Sequence, residues 1–299
     1  MNPQGPLTRD DHPSTNTTVA GGPPSDAFTR APKLSAAPSW SLRYALAAPF
    51  VKLAAVLVYL VVATVALTIT GAAPSREDKT GQLVLAAACT VAAGLATLWL
   101  VAVWRHKRVR PRLADFALVC SPRRPGAVIG WTLGTGAAVV LAMGVYARLV
   151  PARQDAAQAV HDAHGAQLAA LVLLTVVLAP VNEEVLCRCV VYGGLRSWRG
   201  PWCAVPVSAL VWALPHADWK LMPLLVAVGI ALAVVREQTG SLAPTIALHS
   251  ALNAAAVSVY SPLLTAALAG VMLTVCGLIA LQPPRRRLPA SSHQAGVTW

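Results

Sequence analysis

Three ionisable residues interrupt an apolar stretch in the second half of this 299-residue chain. Glu183, Glu184 and Arg188 lie within the segment LVLLTVVLAPVNEEVLCRCVVYGGL, which otherwise has the composition of a membrane helix. Ionisable side chains at such depth are costly and usually functional. Glu184 and Arg188 stand one helical turn apart in the order that favours an ion pair, so we assign them to each other. Glu183 then projects about 100° away around the helix, and it is a candidate base for activating water.

Two histidines and an asparagine supply polar groups to other apolar segments. His216 ends the segment LVWALPH, whereas His249 and Asn253 stand four residues apart in LAPTIALHSALNAAAV and share one helical face. A single buried histidine is more often a hydrogen-bonding or packing residue than a catalytic one. The coincidence of all three with Glu183 changes that balance, because together they could activate water and stabilise an oxyanion.

The same side chains could instead hold a metal ion. Glu183, His216 and His249 would offer a carboxylate and two imidazoles to a divalent ion such as zinc, with water at an open position. The spacing of these residues contains no compact ligand pair such as HxxxH on one helix, and Asn253 is a poor zinc ligand but a good oxyanion donor. We therefore favour catalysis without a cofactor and keep zinc as the alternative.

These segments resemble the motifs of the CPBP family of intramembrane proteases, which includes the type II CAAX prenyl endopeptidases and bacteriocin-processing or self-immunity relatives. Three segments of this chain match the family's motifs in the same order. Glu183-Glu184-x-x-x-Arg188 resembles EExxxR, Trp212-x-x-x-His216 resembles FxxxH, and His249-x-x-x-Asn253 resembles HxxxN. The resemblance covers roughly Ala166 to Val257. One departure is that Trp212 replaces the usual phenylalanine, and we expect it to alter the shape of the pocket more than the chemistry.

The resemblance implies a role for each matching position. Glu183 would activate water, and His216 would assist it. His249 and Asn253 would hold the tetrahedral oxyanion. The supporting residues would be Glu184, Arg188 and Trp212. The implied activity is an intramembrane endopeptidase that hydrolyses a peptide bond in a peptide or membrane-protein substrate. The alternatives are a non-catalytic immunity or scaffold protein of the same fold, a zinc-dependent protease, and a transporter with Glu183 as its proton site, for which no inverted repeat is evident.

Composition places the whole chain in a membrane. Apolar residues make up 56% of it, charged residues make up 12%, and the mean hydropathy is +0.58, which argues against a soluble globular protein. The net charge of +12 comes from bases that cluster beside apolar spans. We therefore interpret the positive charge as anchoring to an anionic inner leaflet, and not as nucleic-acid binding.

Uncharged runs predict the helices that must position the polar residues. In the first half these runs are Leu53 to Thr70, Leu83 to Val103 and Ala127 to Ala147. Five further helices, some short or broken, are predicted from six runs. The first run, Gln167 to Val181, is interrupted by Asn182, Glu183 and Glu184, and the others are Cys189 to Leu195, Trp202 to Leu214, Leu221 to Val235, Leu242 to Ser258 and Leu263 to Leu281. The predicted fold is all-α, a polytopic bundle of about eight transmembrane helices.

Loop charges predict the orientation and the organisation of the chain. Seven basic residues lie between Arg105 and Arg124 against one acidic residue, Asp115. The loops predicted on the opposite side of the membrane carry balanced positive and negative charge. The positive-inside rule then places both termini in the cytoplasm, in what we take to be a bacterial plasma membrane. The expected regions are a disordered cytoplasmic tail at 1–41, N-terminal transmembrane helices at 42–150, a catalytic core at 151–282 and a short basic tail at 283–299.

The predicted topology raises one geometric difficulty. With simple spans, Glu183 and His249 fall toward the cytoplasmic half of the membrane, while His216 falls near the outer end of its helix. Straight helices would not bring these residues together. The prolines that would allow broken or tilted helices around a water-filled cavity are Pro180, Pro206, Pro215 and Pro223.

Overall fold

The protein is all-α, as its uncharged runs predict. The structure is a computed structural model that describes residues 40–71, 73–74, 78–106, 116–150 and 161–282. Over those residues the chain has no strand and forms eight helices of at least 13 residues. In chain order they are α1 (Leu42–Ile69), α2 (Lys79–His106), α3 (Pro125–Leu149), α4 (Gly165–Arg199), α5 (Pro201–Ala213), α6 (Met222–Thr239), α7 (Ala243–Val257) and α8 (Pro262–Leu281).

Five of these helices are long and apolar enough to cross a membrane, namely α1, α3, α4, α6 and α8. A sixth helix, α2, contains the shorter apolar segment Val84–Trp99. On α1 the most apolar stretch has no buried residue, so its large side chains are free to face lipid. The chain is therefore an integral membrane protein.

The first helix begins earlier than the uncharged run predicts. It starts at Leu42 and not near Leu53, because its first turns pack Tyr44 and Ala45 against the rest of the protein. A Cβ atom at Gly194 would lie 2.5 Å from the Ala45 Cβ, so only glycine allows α4 and α1 to approach so closely.

The predicted N-terminal tail at 1–41 lies outside the described residues except at its end. There Trp40 is buried, and its indole N–H donates to the Cys189 Sγ over 3.1 Å. The basic loop segment 107–115 and the predicted C-terminal tail at 283–299 also lie outside the described residues.

The longest of the described helices is α4, which continues through the polar residues that interrupt its apolar run. It spans 35 residues, and two stretches of wider π-helical backbone, Leu174–Leu178 and Val185–Val191, flank the segment Ala179–Glu184. Proline at 180 removes one backbone donor, yet it does not break α4, because the widened turn before it changes the local hydrogen bonding.

The second half of α4 lies at the centre of the bundle. All seven side chains of Val185–Val191 are buried, and this stretch contacts both α1 and α5. A helix that is apolar all round is one that other helices surround. This burial encloses the charged side chain of Arg188 within the protein.

Candidate active site

The long α4 and the short α5 bring the first two motifs into contact. One residue, Gly200, separates these helices and has a φ of +78°, a conformation that favours glycine. Glu183 precedes Gly200 by 17 residues and His216 follows it by 16. The two residues meet at Trp212, whose indole N–H donates to Glu183 and whose ring centroid lies 4.9 Å from that of His216, although α4 is one continuous helix with Glu183 midway along it.

Glu184 is the buried hub of the site. Its Oε1 lies 3.2 Å from Arg188 Nη1 and 2.9 Å from His249 Nδ1, and both Glu184 and Arg188 are fully enclosed. Arg188 also donates through Nη2 to the Gly229 carbonyl of α6 over 3.0 Å. One carboxylate thus joins the first motif on α4 to the third motif on α7.

Glu183 faces a different environment from its neighbour. Its side chain is 25% exposed, and its Oε2 accepts a hydrogen bond from the indole Nε1 of Trp212 over 2.6 Å. The same oxygen lies 3.9 Å from His249 Nε2. Glu183 is therefore partly accessible to solvent, as a base that activates water would have to be, whereas Glu184 is enclosed, as suits a supporting carboxylate.

His249 lies between the two glutamates. Its Nδ1 is directed at Glu184 and its Nε2 at Glu183. Because a carboxylate can only accept, the Nδ1 proton is donated to Glu184, and this contact fixes the orientation of the ring. The Trp212 ring meets the His249 ring edge-on at 5.4 Å between centroids.

His216 lies in a single 3-10 turn, Leu214–His216, directly after α5. The residue is exposed, and its ring centroid is 4.9 Å from that of Trp212. Its Nδ1 lies 3.2 Å from the Ala213 carbonyl oxygen, which can only accept a hydrogen bond. With Nδ1 as the donor, Nε2 is left to accept a hydrogen bond from water or substrate.

Asn253 lies one turn beyond His249 on α7 and contacts the backbone of α4. Its Nδ2 donates to the Thr175 carbonyl over 2.9 Å, within the first π-helical stretch. Over the described residues this is its one side-chain hydrogen bond, so a second N–H of the carboxamide is available. The contacts described above join the other six predicted site residues directly, whereas Asn253 reaches them through α4 and α7.

A further polar side chain, missed at the level of sequence, adjoins the site. Asn182 is 1% exposed and its carboxamide packs on α2, where a Cβ atom at Gly94 would lie 2.0 Å from Nδ2. Its Oδ1 has no hydrogen-bond partner over the described residues. The signal available in the sequence was a third polar residue directly before Glu183.

The zinc alternative requires Glu183, His216 and His249 to converge on one point. Over the part of the chain that the structure describes, no group of three or more His, Cys, Asp or Glu side chains is placed to hold one. The alternative ligand set of Glu183, His216 and His249 is therefore not gathered around one point.

Comparison with known proteins agrees with the motifs. Residues 165–255 match the family model described as "Type II CAAX prenyl endopeptidase Rce1-like". The predicted family resemblance is confirmed. This Rce1-like segment begins at the first residue of α4, ends within α7 and includes every predicted site residue. No curated protein and no solved structure matches the chain.

Proposed function

We propose that this protein is an intramembrane endopeptidase in which Glu183 activates the water that hydrolyses a peptide bond. One observation carries the assignment of the base: of two adjacent carboxylates, Glu183 is partly open, whereas Glu184 is enclosed by Arg188 and His249. The Rce1-like match supports membrane protease function for the segment that contains both.

The contacts support a complete hydrolytic cycle. Glu183 takes a proton from water as the water oxygen bonds to the scissile carbonyl carbon, and the carbonyl oxygen becomes an oxyanion. His249, with Nδ1 held by Glu184, presents Nε2 to that oxyanion when the ring is protonated, and the free N–H of Asn253 provides a second donor. The carboxylic acid of Glu183 then protonates the leaving amine as the C–N bond breaks, which regenerates the carboxylate.

His216 and the substrate complete the proposal. The free Nε2 of His216 is suited to orient the attacking water, since its Nδ1 is directed at the Ala213 carbonyl. The substrate is a peptide or a membrane protein, and the enzyme uses it within the lipid bilayer without a metal cofactor. The catalytic core comprises residues 151–282, and both termini lie in the cytoplasm.

The decisive experiment is a peptide-library digestion by purified protein in detergent. Glu183→Gln should lower turnover by about 10²-fold or more, because it removes the general base while keeping the shape of the side chain. The matched control is Ser250→Ala, which removes a buried hydroxyl next to His249 that has no hydrogen-bond partner among the residues the structure describes. Ser250→Ala should retain activity, and both variants should melt close to the parent protein.

Two results would contradict the proposal. Full activity in folded Glu183→Gln would remove Glu183 from the mechanism. Binding of peptides without any cleavage by the parent protein would favour the non-catalytic immunity or scaffold alternative.

A further inference from the structure

Trp212 lies at the centre of the candidate site. It is 5% exposed, and its indole N–H donates to Glu183 Oε2 over 2.6 Å. Its ring centroid is 4.9 Å from that of His216 and 5.4 Å from that of His249. The guanidinium carbon of Arg188 is 5.2 Å from the same centroid. One indole thus contacts residues from all three motifs.

The indole nitrogen contributes something that a phenylalanine at this position would lack. An indole N–H is a donor only, so its partner must be an acceptor, and a carboxylate is the strongest acceptor among side chains. A short hydrogen bond to Oε2 restricts the rotation of the Glu183 carboxylate and takes one lone pair of that oxygen, and the same oxygen lies 3.9 Å from His249 Nε2. The other oxygen, Oε1, is left for water.

We propose that Trp212 is a positioning residue that holds Glu183 through the indole N–H, so that Oε1 takes the proton from water. The inference rests on the proposed function, because it assigns one oxygen of the proposed base. It also gives the Trp-for-Phe departure in the second motif a chemical role beyond the shape of the pocket.

The competing explanation is that Trp212 only fills space between Arg188 and the two histidines. Two replacements separate packing from hydrogen bonding. Trp212→Phe keeps an aromatic ring and removes the N–H. Replacement of Trp212 by 3-benzothienylalanine keeps the bicyclic shape and exchanges the N–H for sulfur, so it remains informative if the smaller ring fails to fold. Trp219→Phe is the matched control, since Trp219 is 78% exposed.

The first measurement is independent of activity. The full chain, with its nine tryptophans labelled with ¹⁵N, is studied by NMR in detergent micelles, and the Trp212 indole resonance is assigned by its loss in Trp212→Phe. Glu183→Ala removes the acceptor and should move the Trp212 indole proton upfield, while the Trp219 resonance stays in place. An unchanged chemical shift of the Trp212 indole proton in Glu183→Ala would overturn the inference, whatever the activity of the enzyme.

The second measurement is kinetic. Both replacements of Trp212 should lower kcat by about tenfold and leave KM within about twofold, because a misplaced base impairs the transition state more than substrate binding. Trp219→Phe should match the parent. A parental kcat in the folded benzothienylalanine protein would overturn the positioning role, even if the Trp212 indole proton shifts in Glu183→Ala. Activity in Glu183→Gln would instead overturn the proposed function, and the inference with it.

Discussion

The imidazole of His249 is held by Glu184, whose Oε1 lies 2.9 Å from the ring Nδ1. The glutamate next to the proposed base therefore orients the histidine of the third motif, while it also pairs with Arg188 on its own helix. The two adjacent glutamates therefore have different roles. Glu184 holds Arg188 and His249, whereas Glu183 contacts the open part of the site.

Replacing Glu184 should cost both stability and activity. In Glu184→Gln the buried Arg188 loses its counter-charge, and breaking a buried ion pair typically costs about 3 kcal/mol or more. We expect a clearly lower thermal midpoint and a lower yield of folded protein, in contrast to Glu183→Gln, which should melt like the parent. Equal midpoints for the two variants would contradict this division of roles.

Asn253→Ala should reduce turnover by about 10²-fold with little change in substrate affinity, because an oxyanion donor strengthens its bond in the transition state. The measurement is kcat and KM on a peptide identified in the digestion. Since Asn253 also bonds to the Thr175 carbonyl, the thermal midpoint should be recorded alongside. A rise in KM with unchanged kcat would argue against the oxyanion role.

Catalysis should survive removal of metal ions. Activity is measured after treatment with a strong chelator, and the purified protein is analysed for bound metal. We expect unchanged turnover, since we assign water activation to the Glu183 carboxylate and not to a metal ion. Inactivation by the chelator and rescue by zinc, with near-stoichiometric metal that disappears in His249→Ala, would establish the zinc-dependent alternative and leave the protease assignment intact.

Gly94→Ala should disturb the site from a neighbouring helix. The new Cβ would lie 2.0 Å from Asn182 Nδ2, so either α2 or the residue directly before Glu183 must move. We expect a lower thermal midpoint and lower turnover. The control is Gly134→Ala on α3, where an added Cβ meets nothing within 4 Å and alanine favours the helix. Similar losses in the two variants would show that the Asn182 contact is unimportant.

The predicted orientation can be tested with topology reporters fused after Arg112 and after Asp162. Only α3 lies between these points among the described helices, and its 25 residues are enough for one crossing. The two reporters should therefore give opposite sides, with the first in the cytoplasm. The same side for both fusions would contradict both the orientation and the use of α3 as a span.

The sequence alone predicted the all-α membrane fold and the residues of the candidate site, because both depend on local patterns. Hydropathy over a window of about 20 residues marks a span without knowledge of its neighbours. Helical periodicity likewise places Glu184 beside Arg188 and Asn253 beside His249 whatever surrounds them. Ends of helices were less predictable, and α1 begins 11 residues before its uncharged run because packing, and not charge, extends it.

Contacts between helices were decided only by the tertiary structure. The meeting of His216 and Glu183 at Trp212 depends on the length of α4 and on the turn at Gly200, and neither follows from hydropathy. The hydrogen bond from Trp212 to Glu183 requires α5 to present one face to α4 at one register. Such contacts depend on how helices cross and rotate against each other, and that is a property of the whole bundle and not of any one segment.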